Sequence, residues 1–383
     1  MFAEQPTSLD KVTLYGVPHS LYTGKTRSYL RKQGIPYRER APDEHFATQI
    51  VPQLGRAILP VVELGDGTLL QDTVDILDWF EDRGVPVSAR PPGPRQRVLA
   101  HIAELFAVVS LTRHAMHYRW NFSDKQDHFL RHAFAGGAGP RNAEALMARM
   151  QSYLPLLGVT EATIPAIEHS YDELLDLLDA HFDSHPYLFG GQPSLGDYGL
   201  LGPLYAHLGR DPVPADLMKR QAPAVWRWVE RMNAPDPDIP EFPDYPAAYL
   251  EDDGLPETLV PLFRHMAQEL FPELVDTAAA IAAHVAEHDP AAGALVGERP
   301  QNRMIGMVET SFRGIDCQIG VQPYVLYLWQ RVTDAARSSS ETAGHDLREW
   351  LENVGLNPLL DTERPVRVER RDHREVWGER SGS

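Results

Sequence analysis

One cysteine, Cys317, stands in 383 residues. A single thiol makes no internal disulfide, no CxxC redox pair and no cysteine zinc site, so disulfide exchange by the protein's own thiols is excluded. Positive charge is also in deficit. Lys and Arg number 36 against 54 Asp and Glu, a formal net charge of −18, and a surface of that average sign repels phosphate backbones and anionic lipid. Neither nucleic acid nor a membrane is expected as a partner. No apolar run approaches the ~20 residues of a membrane span, and the start MFAEQPTSLDK has no charged-then-apolar layout of a signal peptide. The cytoplasm is the expected compartment, in agreement with the lone thiol.

What is present is an ordinary globular composition, 43% hydrophobic and 23% charged. The length exceeds one compact core, since domains usually hold roughly 100–200 residues. Ala234 to Glu257 carries repeated prolines and acids and no Lys or Arg, so it cannot propagate a helix and is expected to run extended over the surface. A weaker break is ARPPGPRQ, Ala89 to Gln96. These breaks divide the chain into residues 1–90, 91–235 and 236–383, and no repeat of solenoid period is visible.

In the first segment Val12 to Tyr15 reads as a strand, and a helix from about Thr23 ends at Gly34. A second strand, Ile35 to Arg40, a weakly helical DEHFATQIVPQL and the strand ILPVVEL behind Pro60 follow. The turn Gly65-Asp66-Gly67 then leads to TLLQD and to a helix from Thr73 to Arg83. The order β-α-β-α-β-β-α gives a small mixed sheet covered by helices. From Gln96 helical periodicity dominates. Ile164, Ile167, Tyr171, Leu174, Leu175, Leu178 and Phe182 recur at three and four residues, one face of a long helix, and Ser194 with Asp197 forms a capping signal for the next. Trp226 and Trp228 are expected to pack the end of this domain. Beyond the Pro-rich segment, Leu255 to His288 and Gln322 to Arg337 read as helices, with a hairpin around Arg313-Gly314 between them. His345 to Asn353 reads as a short helix, and the tail from Arg364 as either a strand or a solvated end.

The residues YGVPHSLYTGKTRSYLRKQGIPY at Tyr15 to Tyr37, ILPVV at Ile58 to Val62, LLQDT at Leu69 to Thr73 and SLGDYGLL at Ser194 to Leu201 resemble the glutathione S-transferase superfamily over roughly residues 10 to 235. The resemblance implies a thioredoxin-like domain, an all-α domain and glutathione as co-substrate. The backbone of Leu59 would pair with the cysteinyl part of glutathione as an added strand, which requires a cis Leu59–Pro60 bond. Asp72 and Thr73 match the acid-plus-hydroxyl pair that binds the γ-glutamyl end at a helix start. The commoner pair is Glu or Gln then Ser, so Asp72 reaches one methylene less. Ser20 aligns with the hydroxyl of serine-using members and would lower the thiol pKa together with the helix dipole; Tyr15 and Tyr22 are the other candidate hydroxyls, with Thr23 in the same turn. Lys25, Arg27, Arg31, Lys32 and Arg56 lie nearby in sequence as a local positive field, with Lys25 the expected glutathione contact.

A second-substrate cleft facing the first domain is expected from Arg113, His117, Tyr118 and Trp120. The pairs His114/His117 and His128/His132 share helix faces but lack a third ligand type, so no metal is expected. Cys317 reads as a buried small hydrophobe. The expected activity is attack of the glutathione thiolate on a small, largely apolar electrophile; conjugation, isomerisation, ether or halide cleavage and peroxide reduction share that step. The alternative is a non-catalytic protein of this fold whose extension is an interaction module. The resemblance also implies a homodimer.

Overall fold

The computed structural model describes residues 11–297, 303–364 and 366–380. Strand β1 (Val12–Tyr15) leads to α1 (Leu21–Lys32), then β2 (Tyr37–Arg40), a π-helical turn and α2 (Val51–Leu54), β3 (Val61–Glu63), β4 (Leu69–Gln71) and α3 (Thr73–Glu81). The sheet order is β2-β1-β3-β4, with β2 parallel to β1 and the other two pairs antiparallel. This is a thioredoxin-like sheet. Helix α1 begins two residues earlier than the sequence suggested, because the Ser20 hydroxyl caps it by accepting from the Thr23 N–H.

The helical domain holds α4 (Pro94–Phe106), α5 (Thr112–Trp120), α6 (Ser123–Ala138), α7 (Pro140–Gln151), α8 (Ile164–Phe182), α9 (Leu195–Ala206), α10 (Pro212–Gln221) and α11 (Pro223–Asn233). The run Pro94–Trp120 is long and apolar enough to cross a membrane by length and composition, and 89% of its apolar window is buried inside the protein, as in a core helix. The expected stripe of α8 is inward: Ile167, Tyr171, Leu174, Leu175, Leu178 and Phe182 are all buried. The capping box of α9 forms as read, Ser194 and Asp197 each accepting from the other's backbone N–H. Trp228 is buried and stacks on Phe182.

Residues 234–250 are non-helical and stitched to the turn at 187–191 by backbone bonds from Gly191 N–H to Ala248 and from Leu250 N–H to Phe189. The extension then builds α12 (Leu259–His288), the hairpin β5 (Gly306–Phe312) and β6 (Ile315–Val321), α13 (Tyr324–Arg337), α14 (Glu341–Val354), α15 (Pro358–Asp361) and a second hairpin, β7 (Val366–Arg371) with β8 (Arg374–Arg380). The tail is therefore paired strand. Its two-residue turn, Asp372 and His373, has positive φ at both positions, the twist that tight hairpins favour. Leu262 and Phe263 of α12, Trp329 of α13 and Trp377 of β8 are fully buried in the same apolar cluster as Leu14 of β1 and Leu105 of α4. The extension is thus core-forming rather than appended.

Candidate functional site

Ser20 stands at the N-terminus of α1, its Oγ 3.3 Å from the Thr23 nitrogen. Because that oxygen accepts from the backbone, its O–H is left to donate. The Leu59–Pro60 bond is cis. Asp72 precedes α3 with φ 79, a conformation costing a non-glycine residue on the order of 1–3 kcal/mol. There its Oδ1 lies 3.1 Å from the Val74 N–H, and Thr73 opens the helix. Tyr22 reaches the same place. The residue is 38% exposed, yet its hydroxyl lies near Thr112, Arg303 and Asp72; burial raises its pKa, with Asp72 adding and Arg303 opposing.

The extension covers this site, and nothing in the sequence reading anticipated it. The Tyr324 hydroxyl donates to Asp72 Oδ1 at 2.6 Å. Arg303 and Arg370 approach Asp72 Oδ2 at 3.8 and 3.9 Å, and Arg303 lies over the Tyr324 ring. Burial opposes the charge on Asp72, but the two guanidinium groups and the Tyr324 hydroxyl outweigh it and hold the carboxyl below its usual range. Arg56 is bonded to Glu375 at 2.8 Å, to Gln71 at 3.0 Å and to the His373 carbonyl at 2.7 Å. What space is left between Tyr22, Lys25, Thr73, Thr112 and Tyr324 is a cavity of about 10 Å³, the volume of one water at most.

Three expectations need correction. Lys25 lines that cavity but its ammonium turns to Glu104 of α4, 3–5% exposed on both sides, because a lysine buried in a helix interface must find a carboxylate. Burial opposes the charge on Glu104, and Lys25, His101 and Arg331 nonetheless keep it well below the usual carboxylate range. Tyr15 points away: strand alternation sends Leu14 toward the helical domain and Tyr15 into the cluster of Phe46, Ile50 and Leu54. Its hydroxyl donates to Glu63, and burial and Glu63 push it up to about 12. The supposed cleft of Arg113, His117 and Tyr118 does not face the first domain. Arg113 is buried against the Leu157 carbonyl, Glu273 and Phe312, and His117 bonds Glu168 and Asn121. Tyr118 stacks on Phe122 and lines an open groove with Glu168, Asp172 and Leu217, wholly within the helical domain.

The remaining positive field is dispersed. Arg27 is paired with Glu39, Arg31 reaches Tyr37 and the Asn233 carbonyl, and Lys32 reaches Tyr187. Cys317 is 7% exposed, and burial raises its pKa. Among the described residues no group of three His, Cys, Asp or Glu side chains is placed to hold a metal ion.

Residues 14–86 match the family model "Glutathione S-transferase, N-terminal domain", and residues 161–231 match "Glutathione S-transferase, C-terminal domain". These stretches carry the two domains of the glutathione S-transferase superfamily. Among solved structures, a glutathione S-transferase from Xanthobacter autotrophicus is 24% identical, with 58% of this chain and 93% of that one covered and a TM-score of 0.36. The β-etherase LigF of Sphingobium is 18% identical, with 60% and 97% covered and a TM-score of 0.44. Transferase GSTFuA3 from Phanerochaete chrysosporium is 17% identical, with 60% and 98% covered and a TM-score of 0.43. No curated protein sequence matches significantly.

For glutathione the donor set is right in kind. Asp72 carries negative charge for an ammonium, the N-terminus of α3 offers N–H groups to a carboxylate, and Ser20 offers a hydroxyl at a second helix N-terminus. The residues around Asp72 that the sequence did not reveal are Arg303, Tyr324, Arg370 and Glu375, together with the pairing of Arg56 to Glu375. Only the alternation in VRVERRDHREVWG hinted that strands stood at the chain's end.

Proposed function

We propose that the protein is a glutathione-dependent transferase-like enzyme acting on a small, electrophilic and largely apolar substrate. The observation that carries it is Asp72 with Thr73, set with φ 79 at the N-terminus of α3, where an ammonium and a carboxylate would be received together once Tyr324, Arg303 and Arg370 give way. Asp72 and the first N–H groups of α3 would hold the γ-glutamyl end, Leu59 would pair with the backbone, and Ser20 would donate its O–H toward sulfur. Bound glutathione supplies the thiolate nucleophile. The α1 dipole and the Ser20 hydroxyl favour that charge and so favour the reactive form at neutral pH.

A second reading, a binding module without catalysis, is favoured by the 2.6 Å bond between Tyr324 and Asp72, since the acid is already engaged. Calorimetry with reduced glutathione, and thiolate absorbance against pH, separate the two in wild type and Ser20→Ala. Binding with a thiol pKa lowered in wild type and restored toward ~8.5 in the variant supports the enzyme. Binding without that shift moves the role to Tyr22 or to the second reading, and no binding at millimolar glutathione removes the enzyme.

A further inference from the structure

We infer that the extension is a displaceable internal occupant of the Asp72 subsite, standing where the zwitterionic end of a γ-glutamyl ligand would stand. The identity of that ligand rests on the function proposed above; the displacement does not.

Two matches of chemistry support it. Asp72 is supplied with a hydroxyl donor from Tyr324 and with the positive charge of Arg303 and Arg370, the complement that a ligand ammonium would bring. Arg56 is supplied with the carboxylate of Glu375, the complement that a ligand carboxylate would bring. Both groups come from the extension, and both sit on residues of the first domain.

The seam between extension and first domain is polar throughout its bonds. Besides the contacts above, Tyr327 donates to Asp75 at 3.1 Å, Arg370 to Asp75 at 2.7 Å and Arg331 to Asp78 at 2.6 Å. The anchorage of the extension to the rest of the protein is of the opposite kind. Leu326, Trp329, Val368 and Trp377 are buried apolar side chains on α13, β7 and β8. These pairs are nearly dry, Arg56 and Glu375 with side chains 3% and 5% exposed, and while closed they are screened little; once parted, their groups are taken up by water and salt, which exposed apolar surface is not. The seam can therefore part while the extension stays folded against the helices, as segments held by polar contacts open below the global unfolding free energy. Mass action then sets the ligand affinity: a seam open about one hundredth of the time weakens apparent binding about a hundredfold.

The test uses the full-length protein in two measurements. Hydrogen exchange without ligand, at low and at 0.5 M salt, compares the amides of 370–375 with those of α4 and α12. Exchange of the tip that is faster than the core and accelerated by salt supports the inference; exchange at the core rate in both conditions overturns it. Calorimetry with reduced glutathione compares wild type with Tyr324→Phe/Glu375→Gln, after circular dichroism shows the variant folded. About tenfold tighter binding by the variant supports the inference, and equal or weaker binding overturns it. A tip that opens locally in proteins that take up no glutathione supports the displaceable occupant and refutes the glutathione reading. Equal binding by both proteins, with a tip as slow as the core, does the reverse.

Discussion

Tyr324 and Asp72, 252 positions apart, share a 2.6 Å hydrogen bond in which a phenol from the extension donates to the carboxylate that opens α3. Both residues are under 10% exposed. Hydrogen bonds to charged groups contribute about 1.5–3 kcal/mol when buried. Tyr324→Phe should therefore lower stability by about that amount in urea titration, and an unchanged midpoint would show that the bond is replaced by water at no cost.

The Lys25–Glu104 pair should behave asymmetrically. Lys25→Met strands a carboxylate whose side chain is 3% exposed, and breaking a buried pair costs about 3–5 kcal/mol. The double variant Lys25→Met/Glu104→Leu removes both charges and should regain most of that loss. Thermal melting of the two proteins checks it; a double variant less stable than the single contradicts the account.

Asp197 is a hub: it accepts from the N–H groups of Leu188 and Ser194, the Ser194 hydroxyl and the Trp228 indole. Ser194→Ala should cost about 1 kcal/mol, as for a lost helix cap. Asp197→Ala strands several buried donors, each worth about 1–3 kcal/mol, and should destabilise the fold several times more. Equal losses in denaturant midpoint would refute this ranking.

Acid should destabilise the protein from pH 6.5 downward. Burial keeps His19 and His181 at about 3 and His114 and His265 at about 4, against 6.5 when unfolded. Between those values the unfolded chain binds more protons, so the stability these groups contribute is complete above 6.5 and is lost as pH falls, at up to about 1.4 kcal/mol per pH unit for each histidine. Asp197 acts in the other sense. Burial raises it from 3.8 to about 6, so its contribution is complete below 3.8 and is lost as pH rises through 6. Burial also raises Asp75, Asp172, Asp211 and Glu273, but it lowers His101, His117, His185, His207, His284 and His373 as well; the histidines outnumber the raised carboxyls, and the melting temperature should climb from pH 4.5 to 6.5 and then level. A flat profile would contradict it.

Much of the fold was legible because its signals are local. The stop at Gly34, the stripe of α8, the Ser194–Asp197 box and the Arg313-Gly314 turn each depend on residues within a few positions of one another. Asp72, Thr73 and Pro60 were legible as a motif for the same reason. The side of the sheet taken by Tyr15 was also readable, since alternation in Val12 to Tyr15 sets it opposite Leu14. What covers Asp72 was not, because a tyrosine 252 positions away leaves no local trace. The same holds for Lys25, whose partner lies on α4, and for Arg113, whose helical periodicity gives a face but not the hairpin and α12 that pack on it.

The long separation between Asp72 and Tyr324 also has a meaning in time. During synthesis at roughly 5–20 residues per second, those 252 positions take on the order of 10–50 s to make. The first domain can emerge and fold within that interval, while the phenol that closes on its carboxylate does not yet exist. A nascent chain therefore passes through a stage in which Asp72 faces the surrounding solution, and the arrival of Tyr324, 252 positions later, ends that stage.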